Sequence, residues 1–393
     1  IFIAFCGYGM MMTIFVPMLM HGSSGFLDPS VTRSARVIYG GILLALYPLG
    51  QLIGSPVIGS FADKFGRKRG LSITLIFTTF FYIVIAFSLD AHLLWLLMAA
   101  CFLAGLTESN VAICQSAIAD ISTEDDRGRL FAYLYGIMSF GYVIGPLVGG
   151  QIAVHFKYST PFWFISALLV LTYIWVLKSF HHPFVPDKDK AIGYFKSFTN
   201  LASVFTDAPI RRVYLVNFLI YLGVFGFARM IQFYVVDMWD FSVDKVTLFY
   251  SFISLVAAIT SLVLFAPVSK YLSLKAITIW SSIIGGILTV FIVVPRPEVF
   301  VWITPPPAVL IIVFALSSTG SYLSTLVGPE RQGRVLGNNL AIQVGAESLS
   351  AFVGGFLAAM LVPLPLITYG TIAALGGLLL ITYKGKNTNS VSS

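Results

Sequence analysis

The chain has 393 residues, of which 58% are hydrophobic and 10% charged, with a mean hydropathy of +0.90. Soluble domains carry about 25% charged residues, so this composition excludes a cytosolic enzyme, a nucleic-acid-binding module and a disordered chain. The net charge of +7 is spread in short basic clusters between apolar runs, a pattern that encodes orientation in a membrane rather than a polyanion partner. Cys6, Cys101 and Cys114 all fall inside apolar runs, which leaves no disulfide framework and no metal-ligand spacing. Ile1 already lies in an apolar stretch, so further residues are expected to precede it.

A helix needs about 20 apolar residues to cross the hydrocarbon core. In chain order twelve runs qualify: 1–21, 36–62, 70–89, 92–119, 129–154, 160–178, 211–236, 246–270, 275–294, 308–327, 335–361 and 364–383. The longest polar interruption, Lys178 to Arg212, divides them six and six. The expected organisation is an N-terminal half over 1–178, a linker over 179–210, a C-terminal half over 211–383 and a tail over 384–393. The loops at 63–69, 120–129, 178–212, 270–275 and 328–334, with the tail, hold 18 of the 24 Lys and Arg residues. The opposite loops hold five: Arg33, Arg36, Lys157, Lys245 and Arg296. Positive charge stays on the cytoplasmic side, which places both termini and the linker there. The halves also repeat. Gly128-Arg129 and Gly149-Gly150 of the fifth span recur 205 residues later as Gly333-Arg334 and Gly354-Gly355 of the eleventh. Two six-helix pseudo-repeats in the same sense describe an alternating-access carrier with its site between the halves.

After the second span comes Gly59-Ser-Phe-Ala-Asp63-Lys64-Phe65-Gly66-Arg67-Lys68-Arg69. Its order resembles the loop 2–3 signature of the major facilitator superfamily, which implies an all-α integral membrane protein of twelve transmembrane helices. Gly59 is expected to let two helices approach closely, and Gly66 to permit a sharp reversal. The resemblance implies a cytoplasmic latch: Asp63 would cap the start of the eleventh span near Arg334 and Val335, while Arg67 would reach Asp120. Lys68 and Arg127 belong to the same basic and acidic surroundings.

The fifth span carries Gly141-Tyr-Val-Ile-Gly145-Pro146-Leu-Val-Gly149-Gly150. Glycines at spacing four make a groove for a neighbouring helix, and Pro146 is expected to kink the span there. The full string resembles the fifth-helix motif of drug/proton antiporters, including tetracycline-resistance-type exporters. One departure stands out. Those exporters read R-x-x-x-G in the fourth helix, and here the string is Cys101-Phe-Leu-Ala-Gly105.

Ionisable residues well inside a span are functional candidates by default. They are Glu108 in the fourth span, Arg229 in the seventh and Glu347 in the eleventh. Gln115, Gln232 and Gln343 join them as candidate lining of a substrate or proton pathway. Cys101, Glu108 and Gln115 would share one helix face, and Asn339, Gln343 and Glu347 another. One Arg can neutralise one carboxylate and leave the other to titrate; alternatively Arg229 docks an anion. Tyr135, Tyr142, Tyr221 and Phe225 are candidate cavity aromatics, with packing as their plainer role. His21, His155, His181 and His182 offer no ligating or catalytic constellation. No cofactor, metal or enzymatic activity is expected.

The expected function is a secondary active transporter in a bacterial cytoplasmic (inner) membrane, a monomer coupling protons to the export of small amphipathic molecules. The alternatives are an uptake carrier or facilitator for an organic anion, such as a carboxylate metabolite or siderophore, and a membrane nutrient sensor. The topology is open to test. In a cysteine-free background, single cysteines at Ser24 and Ser197 are expected to differ in labelling by an impermeant thiol reagent on intact cells, with only the former reacting. Equal labelling would overturn the twelve-span arrangement.

Overall fold

The computed structural model describes residues 1–22, 25–108, 110–122, 124–180, 204–206, 210–294 and 297–383. Ser24, Ser197, His181, His182, most of the linker and the tail lie outside the described residues. Twelve helices are long and apolar enough to cross a membrane, and no strand occurs among the described residues.

They are α1 (Phe2–Met20), α2 (Arg33–Phe65), α3 (Arg67–Asp90), α4 in two pieces (Leu94–Thr107 and Asn110–Ile121), α5 (Glu124–His155) and α6 (Thr160–Ser179). There follow α7 (Arg211–Trp239), α8 (Val243–Tyr271), α9 (Leu274–Phe291), α10 (Val299–Ser324), α11 (Pro329–Met360) and α12 (Leu364–Ile381). Helix starts have local causes. Thr32 and Ser273 accept the Ala35 and Ala276 N–H groups at 3.3 and 3.2 Å, satisfying orphan donors of the first turn. Prolines open α6, α11, α12 and, at Pro305, the longer piece of α10, where a missing N–H does no harm. Gly66 alone separates α2 from α3, at φ +101, a backbone conformation that side chains disfavour.

Large apolar side chains point outward all around the helices, among them Phe80, Phe87, Trp95, Phe140, Trp175, Phe291 and Met360. In water that surface would aggregate; in a bilayer it faces lipid as apolar as itself. Association must then come from close packing at small residues. Gly141, Gly145 and Gly149 of α5 lie against α1, where added Cβ atoms would come within 2.6 Å of Phe5 Cβ, 2.6 Å of Cys6 Cα and 2.9 Å of Met10 Cβ. Pro146 packs on Gly9, and α5 continues through it as helix. On α2, Gly50 and Gly54 approach the backbone of α4 at Leu106. Gly59 behaves otherwise than expected: a Cβ there would meet nothing within 4 Å among the described residues. The close approach falls earlier on the helix, at Gly50 and Gly54, because α4 crosses there.

By contact the chain forms two compact units, Ile1–Ser197 with Val235–Ser254, and Phe198–Tyr234 with Leu255–Ser393. Relative to the six-and-six division of the sequence, the end of α7 and the start of α8 group with the first half. Asp237, Asp240, Asp244 and Thr247 all find their neighbours there.

Overpacking a tight contact typically destabilises by about 1–3 kcal/mol. Gly145→Val is therefore expected to lower the thermal midpoint of the detergent-solubilised protein by several degrees. Gly59→Ala, placed in open space, is expected to leave it unchanged.

Candidate functional site

Three polar groupings interrupt the apolar helices. The first is the α2–α3 turn. Arg67 is buried and donates from Nε to Asp120 Oδ2 at 3.0 Å, the reach expected from the motif, while its Nη1 pairs with Asp63 four residues earlier. One guanidinium thus bridges two carboxylates, one at the end of α2 and one at the end of α4. The planar fork of Arg suits that double task where a Lys point charge would not. Lys68 donates to the Leu177 carbonyl at 2.7 Å, placing a cation at the negative C-terminal end of α6. The side chains of Arg127 and Tyr135 lie outside the described residues.

The second grouping is the break in α4. Glu108 leaves helical geometry at φ −88, ψ 85, its N–H shared between the Ala104 and Gly105 carbonyls at 3.0 and 3.2 Å. The face that Cys101, Glu108 and Gln115 would share on an unbroken helix is therefore interrupted. A spacing of seven repeats a direction only while 3.6-residue geometry persists. The Glu108 side chain is 5% exposed, and its Oε2 has no hydrogen-bond partner among the described residues. Beyond the break, Asn110 lies 2.6 Å from Thr74 Oγ1, and Thr78 lies 3.5 Å from Thr107. Short polar side chains of α3 thus surround the interruption.

The third grouping joins α7 to α11. Arg229 and Glu347, both buried, form an ion pair. Just over three turns toward the N-terminus of α7, Asn217 donates to Asn339 Oδ1 at 2.8 Å. Asn339 in turn donates to the Tyr221 hydroxyl at 2.7 Å, which also accepts from Thr319 at 3.1 Å. The face predicted on α11 from Asn339 and Glu347 is real, since both reach α7; Gln343 lies between them, half-buried. Gln232 is fully buried, and neither amide atom has a hydrogen-bond partner among the described residues. Tyr142 packs edge-on against Phe5 and Tyr8, and Tyr221 lies beside Phe225.

Which carboxylate Arg229 neutralises was open in the sequence, and the fold selects Glu347. Asn217 and Thr319 were not singled out. Their signal was faint: an Asn and a Thr inside otherwise apolar spans, with Asn217 four residues before Tyr221. Removing one partner of a buried pair leaves a charge uncompensated and costs about 3–5 kcal/mol, whereas an apolar replacement of both costs far less. Glu347→Gln is thus expected to destabilise the protein more than the double variant Arg229→Met/Glu347→Leu, measured by thermal unfolding in detergent.

Comparison with known proteins locates this architecture. The chain is 34% identical to the class H tetracycline resistance protein of Pasteurella multocida over 149 residues, 37% of this chain and 36% of that protein. Against the class B protein of Escherichia coli it is 34% identical over 35% of this chain and 33% of that one. The chain thus spans about a third of the length of these curated relatives. The quinolone resistance protein NorA of Staphylococcus aureus is 24% identical over 82% of this chain and 80% of that protein. In fold, the human organic anion transporter MFSD10 (TETRAN) superposes with a TM-score of 0.69 at 17% identity, covering 96% of this chain and 98% of that one. A D-xylose-proton symporter does so with 0.68 at 15%, covering 97% of each. The family model of the Major Facilitator Superfamily matches residues 1–337, and the chain, with its twelve apolar helices, belongs to that superfamily of multi-pass integral membrane proteins.

Proposed function

We propose that this chain couples protons to the export of small amphipathic molecules across a bacterial cytoplasmic membrane, with both termini and the linker cytoplasmic. One observation carries the reading: Arg229 is occupied by Glu347, whereas Glu108 is buried with no partner for Oε2 among the described residues. An anion carrier needs a cation to spare, and Arg229 is spent on a neighbour. A proton-driven exporter needs a carboxylate that can take and release a proton inside the membrane, and Glu108 is placed for it. The resistance proteins among the relatives favour export. In this reading the Asp63–Arg67–Asp120 cluster is the cytoplasmic latch.

A second reading, a facilitator or uptake carrier for an organic anion, draws on the fourth helix. Cys101, fully buried, stands where the antiporter motif has Arg, so coupling must run through other groups or be absent.

Proteoliposomes with an imposed pH gradient separate the two. Moving one charge through 100 mV is worth about 2.3 kcal/mol, close to fifty-fold accumulation in a tightly coupled cycle. Glu108→Gln keeps size and some hydrogen bonding but removes titration. It is expected to abolish uphill transport while leaving exchange down a gradient largely intact. If Glu108→Gln and Glu347→Gln both retain full gradient-driven accumulation, neither is the coupling carboxylate; if the unaltered protein shows no gradient-driven accumulation, the facilitator reading takes over.

A further inference from the structure

The end of α7, the connection after it and the start of α8 carry three carboxylates, Asp237, Asp240 and Asp244, and each meets a different helix of the first half. Arg33 of α2 grips Asp237 through Nε, 2.8 and 3.0 Å from the two oxygens, and through Nη2. Gln151 of α5 donates to Asp244 Oδ1 at 2.8 Å. His21, capping the C-terminal end of α1, places Nε2 3.0 Å from Asp240 Oδ1. These contacts lie at the end of the helices opposite the Asp63–Arg67 turn.

The two ring nitrogens of His21 have the same kind of neighbour. Nε2 faces the Asp240 carboxylate, and Nδ1 lies 2.9 Å from the Pro17 carbonyl oxygen. Both are acceptors. A neutral imidazole has one N–H, so one of its two contacts would set lone pair against lone pair; an imidazolium donates to both. Both contacts are satisfied together only by a ring that donates from each nitrogen.

The other charged groups around this corner are already committed. Arg33 is held by Asp237. Arg36 donates to the Leu19, Asp28 and Val31 carbonyls at 3.0, 2.9 and 3.0 Å. Asp28 is held below the usual carboxylate range by hydrogen bonds from Ser30, so it stays ionised when imidazole titrates. Lys245 lies over the Phe241 ring at 5.3 Å. Asp240 itself sits at φ +53, with its carboxylate 91% exposed. Solvent protons can therefore reach the pair.

We propose that His21 and Asp240 form a proton-operated clasp that ties the α7–α8 connection to the end of α1, closed when His21 is protonated and released when it is neutral. The clasp stands on this geometry alone. Its use rests on the export reading: protons arriving from outside would then favour closure of the outer end as they enter the cycle.

The test is a spin-label distance measurement between cysteines replacing Pro29 and Lys245, in a background without Cys6, Cys101 and Cys114, in lipid nanodiscs from pH 8 to pH 5, the interval in which histidine changes charge. An exposed pair of this kind shifts a two-state ratio by about two- to five-fold. The short-distance population of the otherwise unaltered protein is expected to grow by that factor as pH falls. His21→Gln and Asp240→Asn are each expected to flatten the response. Asp240 is on the surface, so its variant folds even if the His21 variant does not. Arg33→Ala is expected to lower the closed population at every pH while keeping the response. Repeating the scan with Glu108→Gln separates the clasp from the coupling carboxylate, because the response is expected to survive there. A flat wild-type curve, or equal responses in the wild type and Asp240→Asn, would overturn the proposal.

Discussion

In hydrocarbon there is no water to satisfy a backbone N–H or C=O, so each must find its partner within the protein. That constraint accounts for the all-helical architecture and makes the breaks informative. α1, α2 and α5 continue as helix through internal prolines. In α4 the ladder ends at Glu108 and resumes at Asn110. Beside that point the side chains of Thr74 and Thr78 of α3 meet Asn110 and Thr107 of α4. The one buried carboxylate at this break is Glu108.

The same low dielectric governs the charges. A buried ion is tolerated when it is paired or can become neutral. Arg229 cannot be neutralised by losing a proton, so it requires a carboxylate, and Glu347 is brought to it by the α7–α11 packing. Glu108 has the other option, protonation. The two carboxylates are chemically identical, and the difference in their surroundings arises from their neighbours.

Close helix contact without a hydrophobic driving force depends on small residues, and this chain places them where backbones cross. The α1–α5 contact through Gly141, Gly145 and Gly149 and the α2–α4 contact through Gly50, Gly54 and Gly105 order the first half. In the second half, Gly354 of α11 lies against Met230 of α7, and Gly286 of α9 meets Gly370 and Ala374 of α12. The α1–α5 pairing thus recurs as α7–α11, which is the structural form of the 205-residue sequence repeat.

Hydropathy by itself determined the twelve spans, because burial in lipid acts on each helix separately and needs no knowledge of its neighbours. The resemblance of the loop motif likewise implied the Arg67–Asp120 bond, and the turn at Gly66 holds Arg67 at the start of α3. Tertiary structure decided what depends on side chains meeting across distant segments. It gave Arg229 to Glu347 rather than Glu108, placed the close approach at Gly50 and Gly54 rather than Gly59, and linked Asn217 to Asn339. It also broke α4, so that a face drawn by heptad spacing through Cys101, Glu108 and Gln115 does not exist. Helical periodicity predicts direction only along unbroken helix, and pair choice among buried charges is a matter of distance, which a linear sequence does not contain.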